Sequence, residues 1–374
     1  MTKTYFNIQA LRAAAALIVV WAHAKELFPD VPLIATLPSG LAGVDLFFVI
    51  SGFIMVASTQ SRNIGPLEFL ANRIGRLAPI YYIFTFGVFL LALIAPSIMK
   101  SSRPDADSLI YSLLFIPHLK SVDRIYPMYY LGWTLNYEMY FYVVLSLAML
   151  LFNKWRYVAT ALFICALVIL GFANVEALDQ SIAFYAYSRT ITLDFVLGIA
   201  IALAAPALAK FGRGRNVTTG ICLLAGFVGL AVAGRFFPQF GGTIAPASDT
   251  ILRYGIPAAV IVASAVTLEL NGATVKSKLL LLIGDASYSL YLTHFFVIAV
   301  AIMVSKRLSL GIPARIGVAL AAYVASIGVA ILVYKIVEKP LNDVVRRGLR
   351  TVFGKSAPRP QVAAADEVET VTGG

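Results

Sequence analysis

Arg12 and His23 stand eleven positions apart within one apolar run, Ile8 to Phe28, about the length needed to cross a bilayer as a helix. Ionisable side chains inside such a run are costly and mark function. Eleven steps of about 100° return to nearly the same azimuth, so guanidinium and imidazole share one helix face, roughly 16 Å apart along the axis. That face offers an anion anchor and a base. Arg73 and Arg76, three residues apart in NRIGRLAPIYY where a later span begins, bring two more guanidiniums to the membrane face of Arg12. Such a pair is either ordinary topogenic charge or, with Arg12, a cradle that grips phosphates bidentately.

Three further ionisable side chains are expected in the layer of His23, in the outer half of the membrane. They are Asp45 in GVDLFFVISGF, Glu138 in WTLNYEMYFY with Trp133, Asn136, Tyr137 and Tyr140 around it, and His294 closing SYSLYLTH. A lone carboxylate in hydrocarbon is unfavourable, so Asp45 and Glu138 each need a partner or a water-filled cavity, and one of them is expected to orient His23. His118, in a polar stretch, reads as a loop residue.

A phosphate cradle joined along one helix face to a deeper histidine matches the shape of a coenzyme A thioester. The nucleotide would stay in the cytosol and the pantetheine arm would present the acyl carbon to His23. Neutral imidazole then acts as general base on an acceptor hydroxyl or takes the acyl group itself, and the sequence leaves both routes open. Tyrosine hydroxyls, Asn136, Ser287 and Thr293 are candidates, by type, to donate to the developing oxyanion.

These residues need helices to hold them. With 60% hydrophobic and 13% charged residues, the chain reads as an all-α polytopic membrane protein rather than a soluble domain. Apolar stretches near 8–28, 40–59, 77–98, 131–152, 157–173, 189–208, 217–233, 250–269, 280–304 and 314–336 predict about ten transmembrane helices. Lys3, Arg62, Arg73, Arg76, Lys154, Arg156, Lys210, Arg213, Arg215, Lys276 and Lys278 fall on alternate loops, as does the basic end with Lys339, Arg346, Arg347, Arg350 and Lys355. Both termini are therefore expected in the cytoplasm. Lys100, Arg103, Lys120, Arg124, Lys306 and Arg307 fall on the opposite side, some offset by Asp105, Asp107 and Asp123.

The formal charge of +11 points to anionic lipid headgroups and phosphate-bearing metabolites as partners, not to nucleic acid. No small-residue cleavage site follows the first span, which is expected to be retained. Cys165 and Cys222 lie in separate spans without metal-ligand spacing and read as buried small hydrophobes, so no metal is expected. Gly43, Gly52, Gly198, Gly255, Pro257 and Gly284 read as packing or kink positions. Residues 1–354 form one transmembrane domain, and 355–374, poor in large apolar residues, read as a disordered cytoplasmic tail.

The chain resembles acyltransferase family three, the polytopic membrane acyltransferases that modify surface sugars. The matching pieces are NIQALRAAAALIVVWAH, GVDLFFVISGFIM, NRIGRLAPIYY, WTLNYEMYFY, GDASYSLYLTH and VEKP, in the family's order from residue 6 to about 340. The opening is most similar to the bacterial exopolysaccharide-production acyltransferases. The resemblance implies a bacterial inner-membrane O-acyltransferase, most simply of acetyl from acetyl-CoA, with a glycan or lipid-linked oligosaccharide as acceptor. It implies His23 as catalytic base, Arg12, Arg73 and Arg76 as donor-binding residues, and Glu138 and His294 as supporting site residues. The residues themselves add Asp45 as a further catalytic candidate and Trp133, Asn136, Tyr137 and His294 as candidates for the acceptor. Buried Asp, Glu and His also mark transport pathways, so a glycan-lipid or proton-coupled carrier is the competing reading.

Overall fold

A computed structural model of the chain describes residues 4–31, 34, 40–60, 64–95, 105–121, 124–173, 181–236 and 251–354. Lys3, Arg62, Lys100, Arg103, Asp123, Lys355 and the expected tail lie outside the described residues.

Helices dominate: α1 (Phe6–Ala24), α2 (Leu41–Gln60), α3 (Pro66–Ile94), α4 (Ala106–Leu113), α5 (Trp133–Phe152), α6 (Arg156–Phe172) and α7 (Ile182–Tyr187). They continue as α8 (Leu193–Gly212), α9 (Asn216–Phe236), α10 (Ile256–Leu270), α11 (Lys278–Asp285), α12 (Ser287–Arg307), α13 (Ile312–Val333) and α14 (Lys339–Phe353). A two-stranded antiparallel hairpin, β1 (Leu119–Ser121) with β2 (Arg124–Ile125), interrupts them between α4 and α5. Eight stretches among the described residues are long and apolar enough to cross a membrane. One of them, Tyr130–Phe172, is 43 residues long. As one helix it would measure about 65 Å, twice the hydrocarbon thickness. It folds back at Asn153–Trp155, and α5 packs against α6. Counting that hairpin as two and adding the shorter apolar helix Asn216–Val232 gives ten apolar helices among the described residues.

Two boundaries differ from expectation. α3 begins at Pro66 rather than near 77, so Arg73 and Arg76 lie within the helix. The stretch read as one span near 280–304 is two helices, α11 and α12, broken at Ala286.

The outer surface is apolar: Leu90 and Ile94 of α3, Leu150 and Leu151 of α5, Val217 and Leu224 of α9, and Leu320 and Val324 of α13 are all exposed. Water would not tolerate such a band, and lipid would. The two cysteines belong to this pattern and not to the core. Cys165 is half-buried and Cys222 is exposed on α9, which corrects the expectation that both are buried.

α1 sits inside, packed on α2, α10, α11, α12 and α13. Its Ala13, Ala15 and Ala16 are fully covered, and such small side chains let neighbouring backbones approach. Its start is fixed by Glu269 of α10, whose carboxylate accepts from the backbone N–H of Phe6 at 2.6 Å and of Asn7 at 2.8 Å. Two N–H groups with no partner inside the helix are thereby satisfied by an anion at the positive end of the dipole. α2 and α8 cross where Gly52 faces Gly198. A Cβ on either would collide with the other helix, from Gly198 onto Val49 O and from Gly52 onto Phe195 O. Gly198→Val is accordingly expected to destabilise the detergent-solubilised protein by about 1–3 kcal/mol, read as a melting temperature several degrees lower. An unchanged melting curve would mean that the helices do not meet this closely.

Candidate active site

Arg12 is built into a local network. Its Nη1 donates to Gln9 Oε1 at 3.2 Å, one turn earlier on α1, and its Nη2 donates to Ser287 Oγ at 2.8 Å, the first residue of α12. Gln9 Nε2 in turn donates to Asp285 Oδ1 at the end of α11. The break at Ala286 thus brings an acid and a hydroxyl to one polar turn of α1.

Two cavities meet at this arginine. The larger, about 710 Å³, is lined by Tyr5, which precedes α1, Ile8, Gln9 and Arg12 of α1, Ser51 and Ile54 of α2, Arg76 of α3, Thr134, Glu138 and Tyr142 of α5, the small residues Ala202, Ala205 and Ala209 of α8, and Ser287, Tyr288 and Tyr291 of α12. The smaller, about 380 Å³, is strongly charged, with Arg12, Arg73, Arg76, Lys339 and Arg346 facing Glu68, Asp285, Glu338 and Asp343. Arg12, Arg76, Ile54 and Ser58 line both. The structure therefore brings Arg12, Arg73 and Arg76 together, with Arg76 in electrostatic reach of Arg12. Guanidiniums inside α3 are tolerable because they face this polar space rather than lipid.

Glu138 stands on the wall of the larger cavity, where its Oε1 accepts from Ser51 Oγ at 3.4 Å and from Tyr142 OH. On α5 the cavity side carries Thr134, Glu138 and Tyr142, a run at i, i+4 and i+8 that shares one face. Trp133, Asn136 and Tyr137 lie off that face and are buried in the bundle. Tyr137 packs edge-on to Trp133 at 5.9 Å and meets Phe48 and Tyr187.

His23 lies beyond the end of the larger cavity, not on its wall. Its ring is 5.1 Å from that of His294, and His294 is 6.1 Å from Tyr291, which does line the cavity. Tyr291 is pinned there, accepting from Thr134 Oγ1 at 2.8 Å and donating to Leu131 O at 2.9 Å. One aromatic side chain thus separates the cavity from the histidine pair. The hydrogen bonds assign both ring tautomers. His23 Nδ1 is 3.2 Å from Glu26 Oε1. A carboxylate only accepts, so Nδ1 carries a proton, and the tautomer this favours has its lone pair at Nε2. His294 Nδ1 donates to Leu290 O at 2.9 Å, and its Nε2 is buried with no hydrogen-bond partner among the described residues.

The carboxylate against His23 is therefore Glu26, where the sequence suggests Asp45 or Glu138. Glu26 lies one helical turn past His23, in the short turn after α1, and its side chain is 57% exposed. Asp45 is fully buried and lies in electrostatic reach of Asp194 of α8. The expected common layer of four ionisable groups is instead three separate arrangements: a histidine pair, an aspartate pair and a glutamate on a cavity wall. His118 is in a loop, as expected, and is buried there with its Nε2 2.8 Å from Ser108 Oγ and its ring against Tyr111. Of the candidate oxyanion donors, Ser287 is engaged by Arg12, and Thr293 donates to Ser289 O within its own helix.

A string of rings that do not line the larger cavity also leads from His23. Phe295 stands 6.0 Å from His23, Tyr130 stands 6.3 Å from Phe295, and Tyr126, next to β2, stands 4.7 Å from Tyr130. Glu26, Glu68, Asp194 and Arg346 lie outside the quoted motifs, whereas Tyr291 and Lys339 stand inside GDASYSLYLTH and VEKP with nothing there to announce their places on the cavity walls. Only Glu26, at i+3 from His23, carries a local signal.

A family model described as an acyltransferase domain matches residues 5–335. The exopolysaccharide production protein ExoZ of Rhizobium meliloti (strain 1021) is 34% identical over 317 residues, 83% of this chain and 90% of that protein. Acyltransferase MdmB of Streptomyces mycarofaciens is 26% identical over 78% of each chain. O-acetyltransferase OatA of Staphylococcus aureus (strain NCTC 8325 / PS 47) is 27% identical over 78% of this chain and 50% of its own length, so the chain spans half of that relative. No solved structure matches the chain.

Proposed function

Because the chain belongs to acyltransferase family three, we propose that it moves an acetyl group from cytosolic acetyl-CoA to a sugar hydroxyl of an exopolysaccharide or other surface glycan. In this reading all ten apolar helices cross the bacterial inner membrane, with both ends in the cytoplasm, where the arginine-lined cavity opens. The observation that carries it is the pair of cavities sharing Arg12 and Arg76, one charged and one mostly apolar, with a histidine pair one ring beyond the second. A nucleotide fits the first and a pantetheine arm the second. Relatives named for exopolysaccharide production and O-acetylation support the glycan acceptor.

Arg12, Arg73 and Arg76 hold the phosphates, and Glu138 accepts from an amide N–H of the arm. Tyr291 swings aside as the thioester reaches the histidines. Nε2 of His23 takes the proton of the sugar hydroxyl while its oxygen attacks the thioester carbonyl. The C–S bond breaks, and the imidazolium returns the proton to the leaving thiolate. Glu26 holds the tautomer that makes Nε2 the base. The acceptor approaches along Phe295, Tyr130 and Tyr126, whose rings offer faces for a sugar to stack on. Purified protein in nanodiscs is expected to transfer label from acetyl-CoA to a glycan acceptor. Glycan flux across liposomes without acyl transfer would instead identify a carrier.

Loss of the hydrogen bond that holds Tyr291 in place provides a separate check. Thr134→Val removes the donor to the Tyr291 hydroxyl and is expected to raise acceptor-independent hydrolysis of acetyl-CoA, since water then reaches the thioester more often. Unchanged hydrolysis would remove Tyr291 as the barrier.

A further inference from the structure

We propose that the C-terminal helix α14 forms the outer wall of the donor site, with Lys339 and Arg346 binding the phosphates of the donor's nucleotide. The inference rests on coenzyme A being the donor.

Basic residues after the last span ordinarily read as topogenic charge, yet α14 is placed otherwise. It packs on α3, and the close approach is at Gly75, where an added Cβ would strike Val345. Lys339, Asn342 and Arg346 recur at spacings of three and four, so they share one face, and all three line the charged cavity opposite Arg73 and Arg76. The other face, with Val344, Arg347 and Val352, is exposed. The cations of one helix are thus divided: Arg347 faces outward, while Arg346 turns toward the arginines of α3 and lies in electrostatic reach of Arg76.

Gathering like charges in one cavity is unfavourable unless an anion joins them. The cavity wall carries five cations, Arg12, Arg73, Arg76, Lys339 and Arg346, against four carboxylates, Glu68, Asp285, Glu338 and Asp343, and the Asp343–Arg346 pair is open at 3.6 Å. A 380 Å³ space between two walls of guanidinium and ammonium groups suits a ligand with phosphates at more than one point. The nucleotide of coenzyme A has a diphosphate and a separate 3′-phosphate. Arg12 and Arg76, nearest the larger cavity, would take the diphosphate that leads into the pantetheine arm. Lys339 and Arg346, on the far wall, would take the 3′-phosphate.

The experiment compares two donors on the full-length protein in nanodiscs: acetyl-CoA and acetyl-pantetheine, which has the same thioester but no nucleotide. Arg346→Ala and Lys339→Ala are each expected to lower the ratio of kcat/KM for acetyl-CoA to that for acetyl-pantetheine at least about tenfold, the effect of losing one charge-assisted contact. Arg346→Lys should recover most of that ratio. Adenosine 3′,5′-bisphosphate should inhibit the wild type competitively and inhibit Arg346→Ala at least about tenfold less. Equal loss with both donors would make α14 a structural brace and overturn the inference. A wild-type ratio near one would overturn it too while leaving acyl transfer intact. No transfer from either donor by the wild type would remove the acyltransferase reading itself.

Discussion

His23→Ala, folded and embedded in nanodiscs, is expected to transfer acetyl at least about 100-fold more slowly than wild type, the low end of what a positioned general base contributes. The loss should fall on kcat. His23 is not on the wall of either cavity, so the donor's KM and the thermal shift produced by coenzyme A should stay near wild type. Glu26→Gln keeps a hydrogen-bond acceptor at Nδ1 and removes the charge behind it, so its defect should be smaller than that of His23→Ala. His294→Ala removes the second ring from the pair and should also act on kcat. Full activity in His23→Ala would end the assignment of the base.

Arg12→Ala has the second large effect, on binding. Arg12 lines both cavities and is held by Gln9 and Ser287 with its charge available to a phosphate. A hydrogen bond to a charged group contributes about 1.5–3 kcal/mol, so the KM for acetyl-CoA should rise roughly 10- to 150-fold. Stabilisation of the protein by coenzyme A should disappear with it. Arg12→Lys keeps the charge and loses the planar fork, and should fall between. If coenzyme A still raises the melting temperature of Arg12→Ala as it does that of wild type, the donor binds elsewhere.

Much of the architecture was legible because the bilayer imposes long apolar runs on the chain, and those runs sit where the helices are. The arginine constellation was legible for a related reason. Helical geometry fixes azimuth, and a guanidinium in a span needs polar company, which limits where Arg12, Arg73 and Arg76 can point. The start of α3 was obscured because NRIGR looks like the charged entry to a span; in fact its arginines are inside the helix and face a cavity. The α11–α12 break was hidden by continuous hydrophobicity across Ala286.

The partners of the carboxylates were not legible at all. Asp45 meets Asp194 from a helix far along the chain, and nothing local to either announces the other. Matching depth in the membrane suggested that Asp45, Glu138, His23 and His294 converge. Depth is only one coordinate, and azimuth divides the four side chains among three arrangements: of the four, only His23 and His294 touch each other. Trp133, Asn136 and Tyr137 looked like acceptor contacts because they flank Glu138 in sequence, yet neighbours at i−1, i−2 and i−5 leave the cavity face of a helix that i−4 and i+4 keep. Tyr291 went unnoticed because its role depends on a contact between α5 and α12.

The most direct test is an electron cryomicroscopy structure of the nanodisc-embedded protein with a non-reactive thioether analogue of acetyl-CoA. The phosphates should lie among Arg12, Arg73 and Arg76, the Tyr291 ring should be displaced, and the carbon that mimics the acyl centre should sit about 4–6 Å from His23 Nε2, which leaves room for an acceptor oxygen at hydrogen-bond distance from Nε2 and near-attack distance from the carbon. An analogue whose acyl end stops in the larger cavity with Tyr291 still closed, or whose phosphates bind away from the arginines, would contradict the account.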